Sequence, residues 1–169
     1  DFKISIYTKI ITVIIGYLIL PLIISIPYYF SIYNISFLDA YFESISGFTS
    51  TGFTIFDNIK HIDESLILWR SSSQWIGGLY FLFSIITLLD VFDNNLKKSL
   101  TNFLSFNKSE TLKQSLKIFI LYFLLTFILF IIFKIFDFRT FISFNLAMTL
   151  ISSGGFLPVN ELSTVLNTD

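Results

Sequence analysis

The sequence has no cysteine, one histidine and few charges, and each shortage excludes a class of protein. Without cysteine there are no disulfides, iron–sulfur ligands or thiolate zinc sites. The single histidine, His61, leaves little for a metal or proton-relay centre. A net charge of −1 provides no basic field for nucleic acid. Charged residues make up only 14% of the chain, whereas a soluble domain carries roughly 25%.

Apolar residues are abundant instead. They form 54% of the 169 residues, and the mean hydropathy is +0.76. Because such a chain cannot cover a water-facing surface, the composition predicts an all-α integral membrane protein whose main surroundings are the lipid bilayer.

The apolar runs predict three long helices and two short ones. Residues 10–30 are 21 consecutive uncharged residues, enough for a helix of about 31 Å across a hydrocarbon core of about 30 Å. Residues 66–92 and 116–133 are the other spanning candidates. Residues 38–49 and 140–151 would each cover roughly 18 Å as helices. We expect these half-length helices to enter the membrane from one face and end near its middle.

Basic residues predict the orientation. Two lysines precede the first long helix, and five lie in the linker or just after it, so we expect both regions on the cytoplasmic side. These lysines are Lys3, Lys9, Lys97, Lys98, Lys108, Lys113 and Lys117. The acidic loop 57–64 is then outside, and both half-length helices enter from outside.

One face of residues 66–92 is not suited to lipid. Arg70, Gln74, Gly77 and Phe81 recur at helical spacing. A charge deep in a membrane costs about 3 kcal/mol or more unless it is paired, so we expect this face to contact protein or water. We predict a structural ion pair between Arg70 and Glu43, with cation attraction by Glu43 as the alternative. Gly77 and Gly78 indicate close helix packing.

The chain repeats itself at an offset of 103 residues. The turn TSTGF of residues 49–53 aligns with SSGGF of residues 152–156, and each follows a half-length helix. A match in topology and in the turn is a stronger signal than either motif alone. A half-helix entering from outside points its C-terminus, with about −0.5 charge, at the membrane centre. Backbone carbonyls after that end can replace the hydration shell of a cation.

The stretches DAYFESISGFTSTGFT, WRSSSQWIGG and SSGGF resemble the Trk/Ktr/HKT potassium transporter superfamily. That resemblance implies a potassium-channel-like fold of four tandem helix–pore-loop–helix repeats in one chain, of which this sequence holds about one and three-quarters, as a fragment. We expect the first repeat at 1–92, a cytoplasmic basic linker at 93–112, and a second repeat at 113–169 that stops after its pore loop.

The resemblance also implies the site and the function. The expected selectivity filter consists of the carbonyls of Ser50, Thr51, Gly52, Phe53, Ser153, Gly154, Gly155 and Phe156. We expect the side chains of Thr51, Phe53 and Phe156 to pack behind it. Hydroxyls of Ser50 and Thr54 are optional further ligands. One departure stands out: Leu157-Pro158 follows the second turn, where the family usually has Ser or Thr.

The expected function is potassium uptake, with potassium as the transported ion and no cofactor. The alternatives are a sodium-permeable carrier and a non-conducting membrane subunit of the same fold. An enzyme is not expected, because no nucleophile–base pair or ligand set is present in the sequence. The resemblance further implies a homodimer, a cytosolic nucleotide-binding regulatory subunit and a multi-pass location in the bacterial inner (plasma) membrane.

Overall fold

A computed structural model of the protein describes residues 6–59, 62–88 and 111–159. Lys3, His61, residues 89–110 of the linker region and residues 160–169 lie outside the described residues, so the predictions made for them stay predictions. Within the described part, five α-helices follow one another: α1 Ile6–Ser31, α2 Phe37–Phe48, α3 Glu64–Leu88, α4 Thr111–Ile135 and α5 Thr140–Ile151.

The helices lie where the apolar runs predict them. α5 has the predicted bounds, α2 is shifted by one residue, and α1 extends beyond its apolar run at both ends. α4 begins at Thr111, two residues before the expected start of the second repeat. α1 and residues 115–135 of α4 are long and apolar enough to cross a membrane. That α3 also crosses the membrane stays a prediction. Its buried residues are mostly polar, so the prediction rests on its length of 25 residues.

The outward faces of α1 and α4 are apolar and exposed. Large aliphatic side chains cover them, among them Ile14, Leu18, Leu124 and Ile128. Exposed apolar area of this extent marks a surface that meets lipid or another protein and not water.

α1 passes through Pro21 and Pro27 without ending. Each proline lacks an N–H and so leaves one helical carbonyl without its usual partner. Side chains from α2 and α3 donate hydrogen bonds to other α1 carbonyls near this stretch. Tyr41 Oη donates to the oxygen of Leu18 over 3.1 Å, and Trp69 Nε1 donates to that of Ile24 over 3.0 Å. α1 is therefore fixed by polar bonds as well as by packing.

α2 has a well-formed N-terminus. Ser36 is its N-cap, and the Ser36 hydroxyl oxygen accepts the backbone N–H of Asp39 over 3.1 Å. The same hydroxyl donates to the Asp39 carboxylate over 2.7 Å. A carboxylate in the first turn also suits the positive end of the helix dipole, so the predicted start of this half-length helix has a local cause.

α3 contacts each of the other four helices and joins the two halves. Its glycines permit that closeness, as the sequence predicts. A Cβ at Gly77 would overlap the carbonyl oxygen of Phe48, at the end of α2. A Cβ at Gly78 would lie 2.6 Å from the Tyr122 hydroxyl oxygen and 3.0 Å from Ser152 Cβ.

The two halves correspond at the constant offset of 103 residues. α2 and α5 are each 12 residues long, and they begin at Phe37 and Thr140. Among the described residues, four non-glycine residues have a positive φ, and they form two pairs at the same offset: Asn34 with Asp137, and Ser50 with Ser153. This correspondence in backbone conformation supports the repeat predicted from the sequence.

We expect Gly77→Ala to lower the free energy of unfolding by about 1–3 kcal/mol, the usual range for overpacking. The added methyl group meets backbone at the end of α2, which cannot rotate away as a side chain can. Ile76→Val, at the neighbouring and partly exposed position, should stay within about 0.5 kcal/mol of the parent. Thermal or denaturant unfolding of the complete gene product in detergent measures both. Equal stability of the two variants would contradict the close packing of α2 on α3.

Candidate functional site

Both half-length helices end in the same backbone motif. In α2 the N–H of Ser50 donates to Gly47 O and the N–H of Thr51 donates to Ser46 O, each over 2.9 Å. In α5 the N–H of Ser153 donates to Leu150 O over 3.0 Å and that of Gly154 to Thr149 O over 2.8 Å. These are Schellman caps, in which Ser50 and Ser153 adopt the left-handed conformation with φ of 54°. The chain after each cap turns away from the helix axis.

The two turns meet backbone to backbone. Gly52 has φ of +82°, a conformation that glycine adopts without steric cost. A Cβ added to Gly52 would lie 2.6 Å from Gly155 Cα, and a Cβ added to Gly155 would lie 3.0 Å from Gly52 Cα. A side chain at Gly52 would therefore push the turns apart, and one at Gly155 would make a tight contact with the first turn. Gly155 does not share the positive φ of Gly52, so the two turns differ in detail.

The C-terminal ends of both half-helices line one cavity of about 510 Å³. Its polar lining comes from Thr49, Ser50, Ser152 and Ser153, and α3 contributes Gly77 and Gly78. Among the described residues, this cavity is where the negative ends of two helix dipoles come together, an arrangement that favours a cation over an anion.

Glu43 supports the first turn through hydrogen bonds and is paired with Arg70. Its carboxylate is fully buried and accepts the Thr54 hydroxyl and the Ile55 N–H, each over 3.0 Å. Arg70 Nε donates to the same carboxylate over 2.8 Å, which confirms the predicted ion pair. A second Arg70 nitrogen, Nη2, donates to the Thr54 hydroxyl oxygen over 3.0 Å. The Thr54 hydroxyl is therefore occupied by this network, and its use as a further ion ligand is not supported.

Arg70 also reaches the second turn. Its guanidinium carbon lies 4.2 Å from the centre of the Phe156 ring and 5.4 Å from that of Phe56. A cation over an aromatic face is stabilised by the ring quadrupole, more so when both are desolvated. Arg70 is 1% exposed and Phe156 is 2% exposed. Because Glu43 belongs to α2 and Phe156 follows α5, this one side chain ties the two halves together.

Of the two phenylalanines expected to pack behind the loops, Phe156 is buried, whereas Phe53 is exposed among the described residues, so the packing of Phe53 stays a prediction. The Phe53 side chain is 69% exposed. Phe156 is covered because α3 of the other half lies against it, and among the described residues no helix occupies the equivalent place beside Phe53. Thr51 is exposed as well, and its hydroxyl lies 2.7 Å from that of Thr49. Phe81 is 54% exposed and lines the cavity, which agrees with the expectation that this face of α3 contacts protein or water.

Gln74 is the functional candidate that sequence reasoning missed. The sequence places Gln74 on the polar face of α3, and in the structure its side chain is fully buried against the second turn. With its amide oriented by its neighbours, the oxygen accepts the N–H groups of Gly155 and Phe156, each over 3.0 Å. The amide nitrogen donates to the Thr149 hydroxyl over 3.3 Å. The sequence signal that could have identified Gln74 is its helical spacing from Arg70, which places both residues on one face of α3.

The second half replaces the network around Glu43 with apolar groups. At the offset of 103 residues, Leu146 stands where Glu43 stands, Leu157 where Thr54 stands, and Pro158 where Ile55 stands. Leu146 and Leu157 belong to the same apolar cluster. Proline has no backbone N–H. The second half therefore lacks the Glu43 carboxylate as acceptor and also the two donors of the first turn, the Thr54 hydroxyl and the Ile55 N–H. The unusual Leu157-Pro158 therefore accompanies the loss of a carboxylate.

The TrkH cation transport protein family matches residues 2–160 of the chain. The chain belongs to the TrkH family. This confirms the resemblance carried by the loop and α3 motifs. The family is described by transport and not by a reaction, which confirms the prediction that the chain is not an enzyme. In the described part of the chain, no group of three His, Cys, Asp or Glu residues is placed to hold a metal ion.

Curated TrkH relatives match the chain over short stretches. An uncharacterized cation transporter of Methanocaldococcus jannaschii is 43% identical over 67 residues, which is 40% of this chain and 14% of that protein. The Trk system potassium uptake protein TrkI of Halomonas elongata is 37% identical over 41% of this chain and 13% of that protein. The corresponding protein TrkG of Escherichia coli is 36% identical over 33% and 12%. The matched part of the chain thus spans a small share of each relative. No solved structure gives a significant match.

Removing one member of the Glu43–Arg70 pair should cost roughly 3–5 kcal/mol of stability, because it leaves the other charge buried and unpaired. We expect the double variant Glu43→Leu with Arg70→Met to be more stable than either single variant, since the second half of this TrkH chain already packs a leucine at the Glu43 position. Unfolding of the complete gene product in detergent provides the three values. A double variant whose loss equals the sum of the single losses would show that the pair is not coupled.

Glu43→Gln separates the structural role from cation attraction. It keeps the shape of the side chain and removes the charge facing Arg70. We expect Glu43→Gln to lower both the free energy of unfolding and the ⁸⁶Rb⁺ uptake per cell. Normal stability with a change confined to ion affinity would overturn the structural assignment of Glu43.

Proposed function

We propose that this TrkH-family chain supplies two of the four carbonyl-lined loops of a potassium uptake path. The carbonyls of Ser50, Thr51, Gly52 and Phe53 would line one side, and those of Ser153, Gly154, Gly155 and Phe156 the next. The observation that carries the proposal is the meeting of two turns with the same cap geometry, at Gly52 and Gly155, beyond the C-terminal ends of two half-helices.

The charge distribution around the loops supports a cation. Both half-helices present their negative ends to the shared cavity. The buried positive charge near the loops, Arg70, is neutralised by Glu43 at 2.8 Å. Carbonyl oxygens provide the ligands by which filters replace an ion's hydration shell. Irregular backbone at membrane depth is tolerated where it lines a cavity or is buried in protein, which suits both turns.

The unequal exposure of the two phenylalanines supports a closed ring of repeats. α3 of the first half covers Phe156 of the second. If four repeats surround one path, the closing helix of another repeat would cover the exposed Phe53 in the same way. The remaining repeats, the homodimer, the cytosolic nucleotide-binding subunit and the multi-pass position in the inner membrane are proposed from family resemblance.

Potassium is preferred over sodium because two of the relatives are named as potassium uptake proteins. Sodium permeation and a non-conducting subunit are the alternatives. They separate in one assay: a sodium carrier takes up ²²Na⁺ at least as fast as ⁸⁶Rb⁺, and a non-conducting subunit takes up neither.

We expect Gly52→Asp in the complete gene product to abolish ⁸⁶Rb⁺ uptake and growth of a potassium-uptake-deficient bacterium at low potassium. The new side chain cannot fit against Gly155 and disfavours the φ of +82°. Asp57→Asn, in the exposed loop before α3, is the matched control that changes one charge and should grow like the parent.

Both proteins are quantified in the membrane so that uptake is compared per molecule. Full rescue by Gly52→Asp at normal protein levels would refute the assignment of the filter.

A further inference from the structure

The Gln74 side chain contacts the backbone of the second turn, and this contact fixes the direction in which the peptide groups of the turn point. Its oxygen accepts the N–H groups of Gly155 and Phe156, two successive donors, each over 3.0 Å. The peptide bonds are trans, so each N–H points opposite to the carbonyl of the preceding residue. Holding these two N–H groups toward α3 turns the carbonyls of Gly154 and Gly155 away from it.

The glycine at position 154 shows how closely Gln74 is fitted. A Cβ at Gly154 would coincide with the amide of Gln74. Gly154 has no positive φ to explain it. The missing side chain at 154 is therefore explained by the glutamine and not by the local backbone.

The first turn is held by a different device. Glu43, from the half-helix of the same repeat, accepts the N–H of Ile55. The second turn has Leu146 at the Glu43 position, which accepts nothing. A fully buried acceptor for the second turn comes instead from α3 of the preceding repeat.

We propose that Gln74 is a positioning residue for ion selectivity: α3 of the first repeat orients the Gly154 and Gly155 carbonyls of the second repeat. This rests on the proposed function, because it assigns those carbonyls to the ion path. Arg70, one helical turn from Gln74, contacts the Phe156 ring. α3 therefore contacts the second turn through two side chains.

The test compares three variants of the complete gene product. Gln74→Met keeps the volume and removes the acceptor. Thr149→Val removes only the partner of the Gln74 amide nitrogen. Asp57→Asn is the control outside the membrane. The readout is the ratio of ⁸⁶Rb⁺ to ²²Na⁺ uptake per molecule, because a purely structural defect lowers both fluxes and leaves their ratio unchanged.

We expect Gln74→Met to reduce the ratio by about tenfold, the size expected for losing hydrogen bonds that act on a conformational preference. Thr149→Val should change the ratio by about twofold at most, since the two bonds to the turn are retained. An unchanged ratio in Gln74→Met, or an equal fall in both fluxes, would overturn the proposal.

A double-mutant cycle tests the contact with Gly154 directly. Gly154→Ala must displace the Gln74 amide, whereas Gln74→Ala makes room for the new methyl group. We expect the Gly154→Ala, Gln74→Ala double variant to lose no more selectivity than Gln74→Ala alone, and losses that multiply would contradict the contact. If Gly52→Asp abolishes uptake while Gln74→Met keeps its ratio, only the role of Gln74 fails. If Gly52→Asp transports normally, the proposed function itself fails.

Discussion

The buried charge of Arg70 is the constraint on which the rest of the chain depends. A guanidinium at 1% exposure among apolar helices is tolerable only with a counter-charge and hydrogen-bond acceptors. Arg70 Nε and Nη2 have acceptors, whereas Nη1 has none among the described residues. Glu43 provides the counter-charge from α2, and Thr54 accepts a further hydrogen bond. Together they fix the distance between α2 and α3, and the Ile55 N–H connects the end of the first turn to the same carboxylate. The geometry of the first loop thus follows from how one charge is satisfied.

The two halves reach similar backbones by different chemistry. The first loop is held by a carboxylate from its own half of the chain, and the second by a neutral amide from the first half. In the second half, two leucines occupy the place of the ion network. Replacing a buried ion pair by apolar residues often costs a protein no stability. The support of the loop thus differs between the two halves, while the helix cap and a glycine are present in both.

α3 therefore does more than connect the two halves. Its glycines let α2 and the end of α5 approach, and its polar face reaches both turns. Gly77 lies against the carbonyl of Phe48, Arg70 against the Phe156 ring, and Gln74 against the backbone of the second turn. Any displacement of α3 would act on both loops together, which couples the support of one proposed filter segment to that of the next.

Hydropathy, run length and the 103-residue offset are local properties of the sequence, and they determined the class of protein, the five described helices and the correspondence of the two helix caps. The ion pair of Glu43 with Arg70 was also predictable, because a deeply placed charge needs a partner and few were available. The role of Gln74, the exposure of Phe53 and the occupation of the Thr54 hydroxyl were not. Each depends on which side chains from distant parts of the chain lie beside a turn, and periodicity fixes the face of a helix but not what that face meets. Only the tertiary structure brought α3 against the second turn, and that contact decided which residues support the candidate ion path.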